Sequence, residues 1–159
     1  MSQKTKTQNP KSEKNKYSVI VNGVVVKDGK EVLLAQRSTE EKHVPGRWSP
    51  PGGKLEETDT VWHALEETVK REVLEETGIE VEDEMHLLIN NTFRHEEDDL
   101  LVLANVFLCK YKSGEPKPLE DTIAVRWVGE DEINNYEFTH DNVKDYIIKA
   151  FEYLKLHPW

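Results

Sequence analysis

The chain has 159 residues, 33% of them charged and 36% hydrophobic, with a net charge of −10. That length suits one domain with its own core, and the acidic field disfavours a protein that grips nucleic acid by its backbone. A small polyphosphate stays open as a ligand, provided cations supply the positive charge.

In chain order, residues 1–16 are, apart from Met1 and Glu13, Lys, Ser, Thr, Gln and Asn with one Pro. Such a composition cannot bury enough apolar surface to offset ordering, which predicts a disordered polar tail ahead of a single domain over residues 17–159. The tail lacks the apolar region of a signal peptide and no apolar run is long enough to span a membrane, so a cytoplasmic address is the default expectation. Residues 17–26 are rich in β-branched side chains and read as a strand. Asp28-Gly29 signals a hairpin, and residues 31–37 return as the second strand. Residues 38–51 read as a loop punctuated by Pro45, Gly46 and Pro50. Pro51-Gly52-Gly53-Lys54-Leu55 reads as a turn that allows close backbone approach. A helix is expected from a cap at Asp59 or Thr60 to about Thr77, with Gly78 as its stop. Strands follow over residues 85–93, 100–111 and 122–128. Residues 141–156 predict an amphipathic helix that packs Val143, Ile147, Ala150, Phe151 and Leu154 on the sheet. The single cysteine, Cys109, lies in an apolar run and reads as a buried, inert thiol. Strands, helix, strands, helix is the order of a mixed α/β layer structure.

The chemistry concentrates on the first helix. Glu72, Glu75 and Glu76 are spaced i, i+3, i+4 and share one narrow face. Like charges so placed repel. Either water solvates them or a divalent cation such as Mg²⁺ or Mn²⁺ takes their oxygens. Arg71 adjoins the cluster and could hold a carboxylate through two hydrogen bonds.

Pro51-Gly52-Gly53-Lys54-Leu55-Glu56 and Arg71-Glu72-Val73-Leu74-Glu75-Glu76-Thr77-Gly78-Ile79 together resemble the Nudix box, the loop–helix–loop signature of the Nudix hydrolase superfamily. The resemblance implies an α/β/α sandwich around a mixed β-sheet. It implies Mg²⁺- or Mn²⁺-dependent hydrolysis of a nucleoside diphosphate linked to another moiety, with nucleoside triphosphates and nucleotide sugars as substrate classes. It makes Glu75, Glu76 and the Gly53 carbonyl metal ligands, Glu72 a ligand or the general base, and Arg71 the residue that holds a glutamate in place. Many such proteins add a carboxylate from outside the box. Glu120, with Asp121 beside it, is the candidate here, whereas Glu96, Glu97, Asp98 and Asp99 read as a charged hairpin loop.

The box departs from the family spacing. Counted forward from Gly53, its first glutamate falls at Asp59; counted back from Arg71, it falls at His63. The four-residue difference is expected to add one turn at the front of the helix. Glu67, at i, i+4 from Arg71, and Asp59 both stand as replacements for the displaced glutamate, while His63 reads as a helix-surface histidine. Arg37 and Arg47 flank the loop ahead of the glycines and are the candidates for phosphate contact. Trp48 reads as core. Trp62, in the added turn, either closes over substrate or makes a contact in a homodimer. A nucleotide-sensing domain without turnover is the competing reading, disfavoured because Arg71-Glu72 and Glu75-Glu76 are all present. An RNA-end hydrolase is disfavoured by the net charge.

Overall fold

A computed structural model describes residues 16–57 and 61–159. The expected tail, apart from Lys16, and the candidate caps Asp59 and Thr60 lie outside the described residues. The strands are β1 (Tyr17–Lys27), β2 (Glu31–Arg37), β3 (Trp48–Ser49), β4 (Gly52–Lys54), β5 (Glu80–His95), β6 (Leu100–Ser113) and β7 (Thr122–Gly129). The helices are α1 (Ala64–Thr77) and α2 (Asp141–Leu156), with a 3-10 turn at Glu130–Asn135. The strands form one mixed sheet in which β1 pairs parallel with β6 and antiparallel with β2 and β4. β5 closes one side against β6, and β2 carries β3 and β7.

Period-two alternation assigns each strand residue to one of two cores. Val24 and Val26 of β1, with Val106 and Leu108 of β6, pack under Val143, Ile147, Ala150, Phe151 and Leu154 of α2. Val21 and Val25, with Phe107 and Cys109, pack under Val69 and Val73 of α1. The result is an α/β/α sandwich, as expected. Cys109 is fully buried, which raises its thiol pKa by desolvation. Trp48 belongs to the α2-side core. No helix among the described residues is long and apolar enough to cross a membrane.

Three local expectations need correction. The Gly-Gly segment is a strand, with Gly53 paired to Val21 of β1, rather than a free turn. The loop after β2 contains the short strand β3. The helix begins at Ala64, with His63 as a left-handed N-cap (φ 57°) that makes no side-chain cap bond. The helical turn expected ahead of Ala64 is therefore not formed among the described residues. His63 is not on the helix surface, and Trp62, 87% exposed, stands in the connection between β4 and α1.

Candidate active site on the first helix

α1 is held by its apolar side and ended by Gly78, whose left-handed backbone (φ 73°) donates to the Leu74 carbonyl. The last carbonyls of a helix lack intrahelical donors. Here the loop before β7 supplies them: Lys117 N–H donates to the Thr77 carbonyl at 2.8 Å, and Leu119 N–H to the Glu76 carbonyl at 3.1 Å. That docking sets Glu120, in the left-handed region at φ 52°, beside the acids of the helix. Its charge reaches both Glu72 and Glu76.

Gly53 provides the close backbone approach expected of the glycine segment. A β-carbon there would lie 2.6 Å from either carboxylate oxygen of Glu72. Only glycine lets β4 approach the helix so closely. Next to it, Gly52 N–H donates to Glu76 at 3.3 Å. Arg71 Nη1 reaches Glu72 at 3.0 Å and Glu75 at 3.2 Å, tying two of the acids together. Glu67 pairs instead with Lys70 at 3.0 Å, so the expected Glu67–Arg71 contact is not made. A helical side chain at i+3 competes with one at i+4, and here the Lys70 ammonium, also paired with Asp83 at 2.8 Å, wins.

Burial dominates the electrostatics. Glu72 is 9% exposed, and desolvation raises its pKa, with Arg71 opposing and Glu75 and Glu120 adding. Burial pushes Glu76 up to about 8; the Gly52 N–H opposes the shift and Glu72 and Glu120 reinforce it. Such carboxylates hold a proton or require a compensating cation. Among the described residues no three His, Cys, Asp or Glu side chains converge as a ready-made metal cluster. Even so, a glycine cradle and two desolvated carboxylates are a donor set suited to a hard divalent cation.

Glu76 and Glu120 line a cavity of ≈ 240 Å³ with Arg37, Asp121 and Gly52. At Asn22, Arg37 and Ser49 it adjoins a second cavity of ≈ 440 Å³, lined further by Asn91, Phe93, His140, Asn142 and Tyr146. A still larger cavity, ≈ 560 Å³, lies by β5 and the C-terminus and contains none of the candidate residues. Arg37 is thus placed at the site. Arg47 is not: it pairs with Glu137 at 3.2 Å and lines neither of the two adjoining cavities. The Glu96 to Asp99 segment is the β5–β6 hairpin loop, with Arg94 bound to Asp99 at 2.8 Å.

Asn22 and Glu41 line the first cavity and were not legible as site residues. Asn22 had a signal, as a lone amide within an apolar strand, and its Nδ2 donates to the Pro50 carbonyl at 3.2 Å. Glu41 had none, because a carboxylate in a polar loop is unremarked by any periodicity.

The NUDIX domain family model matches residues 16–151. A MutT-like protein of Streptomyces ambofaciens is 38% identical over 119 residues, covering 74% of this chain and 68% of that protein. An 8-oxo-dGTP diphosphatase of Proteus vulgaris is 35% identical over 89 residues, covering 56% of this chain and 72% of its own. Among solved structures, the MutT protein of Methanosarcina mazei Go1 superposes with a TM-score of 0.69 at 26% identity, covering 91% of this chain and 99% of that one. The NUDIX domain of Shewanella oneidensis NrtR, complexed with ADP ribose, shares the fold at 21% identity and a TM-score of 0.69, covering 93% and 94%.

Proposed function

Since this chain belongs to the Nudix hydrolase family and is a pyrophosphohydrolase, we propose that it uses Mg²⁺ or Mn²⁺ to hydrolyse a phosphoanhydride bond of a nucleoside triphosphate. Nucleotide sugars such as ADP-ribose are the competing substrate class. The observation that carries this reading is the junction of two cavities. The small acidic one, with Glu76, Glu120 and Arg37, suits a cation-bridged polyphosphate. The one it adjoins has a volume in the range of ligand pockets and a mixed aromatic and amide lining that suits a nucleoside. The 8-oxo-dGTP diphosphatase similarity favours the triphosphate class.

In this reading Glu72, Glu75 and Glu76, the Gly53 carbonyl and Glu120 hold the cations. A divalent cation there supplies neutralisation of phosphate charge and acidifies water. Arg71, bonded to both, keeps Glu72 and Glu75 in place, and Glu72 is a ligand or the general base. Arg37 contacts phosphate.

A panel of nucleoside triphosphates and nucleotide sugars with Mg²⁺ or Mn²⁺, scored for phosphate and pyrophosphate, tests the proposal. The expected result is turnover that ceases in EDTA, fastest on a triphosphate. Robust turnover in EDTA would sink it.

A further inference from the structure

Arg37 ends β2 where the ladder with β7 slips register, between Gln36 and Arg37. Its backbone is fixed on both sides: the N–H donates to the Arg47 carbonyl at 2.9 Å, and the carbonyl accepts from Gly46 N–H at 3.2 Å. The side chain then runs into the acidic cavity and lines the adjoining one too. There its Nη2 donates to Glu41 Oε2 at 3.3 Å. Glu41 is itself anchored, its N–H donating to the Ser38 carbonyl at 3.2 Å. Arg37 Nε is buried and has no hydrogen-bond partner. The side chain is nevertheless 37% exposed, so the rest of the guanidinium is open to the cavity, where a phosphate oxygen is an acceptor whose geometry fits the fork.

We propose that Glu41 is a positioning residue: its carboxylate holds one amino group of Arg37, so that the exposed part of the guanidinium faces a phosphate of the bound nucleotide. This rests on the reading of the cavity as a polyphosphate site. Glu41 carries a charge of the same sign as the ligand, so without the tether it would only repel. The tether reverses that balance by confining a long, flexible cation to one direction.

The test measures kcat and KM for a nucleoside triphosphate with Mg²⁺. It also measures the Kd of a non-hydrolysable triphosphate analogue by calorimetry, with folding checked by Tm. The variants are Glu41→Ala, Glu41→Gln, Arg37→Ala and the double alanine variant. Glu41→Ala is expected to raise KM and Kd about tenfold with kcat within about twofold, the pattern of lost uniform binding. Glu41→Gln keeps an acceptor and recovers part of that loss. The double variant binds no more weakly than Arg37→Ala alone. Unchanged or tighter binding in Glu41→Ala overturns the proposal, as does a Glu41 effect that persists in full without Arg37. If the parent turns over no nucleotide but the Kd pattern holds, the positioning role stands and the hydrolase reading fails.

Discussion

The chain carries two clusters of four acids, and they behave in opposite ways. Glu96, Glu97, Asp98 and Asp99 turn the β5–β6 hairpin with 70%, 67% and 85% of the last three side chains exposed. Their charges are solvated, with Arg94 paired to Asp99 and the His43 and His95 rings beside Glu97 and Asp98. Glu72, Glu75, Glu76 and Glu120 gather against a glycine strand, and the burial of Glu72 and Glu76 raises their pKa values. Each holds four carboxylates; desolvation separates them. Surface ion pairs contribute roughly 0–1 kcal/mol, whereas buried carboxylates oppose folding until something compensates them.

That contrast can be broken at several strengths. Glu72→Gln is expected to lower kcat/KM by about 100-fold or more, the scale of losing a contact to developing charge, while Glu96→Gln, at an exposed hairpin position outside both cavities, leaves it unchanged. Comparable losses in both would erase the distinction. Gly53→Ala forces a β-carbon onto the Glu72 carboxylate; overpacking of that kind costs roughly 1–3 kcal/mol of stability and lowers Tm, and the displaced Glu72 is expected to slow turnover by about tenfold or more. A wild-type Tm and rate for that variant would show that the strand yields freely.

The pH dependence is subtler. The folded pKa of Glu76 lies at about 8, above its ordinary 4.5. Between those values the folded chain binds a proton that the unfolded chain lacks, so this group's contribution to stability falls as pH rises. In metal-free buffer Glu76→Gln should therefore be about 2–4 °C more stable than the parent at pH 8.5 and lose that advantage near pH 4.5. A slope equal to the parent's in Glu76→Gln contradicts the burial argument. Smallest of all, Asp99→Asn should shift stability by under about 0.5 kcal/mol by thermal melt.

Much of this was legible in the sequence because it is local. β2 and α2 have the expected bounds, since alternation and a 3.6-residue stripe are written into Val32, Leu34, Ile147 and Phe151 themselves. The register of Glu72, Glu75 and Glu76 is likewise a property of helix geometry. What escaped depends on contacts far along the chain. Gly53 is a strand residue because Val21 pairs with it, and the reason for its glycine is Glu72, 19 positions later. Glu67 turned to Lys70 because Asp83 holds that ammonium from β5. Arg37 and Arg47 look alike in sequence, and only the fold sends one into the cavity and the other to Glu137.

The central claim is that the buried acids of α1 act through a divalent cation. It is tested most directly by comparing the parent with Glu76→Gln, in pyrophosphate release from a nucleoside triphosphate and in Mn²⁺ binding by titration. Turnover is expected to fall at least about 100-fold, with weakened Mn²⁺ binding and an intact fold. Parent-like turnover and Mn²⁺ affinity in Glu76→Gln would contradict it.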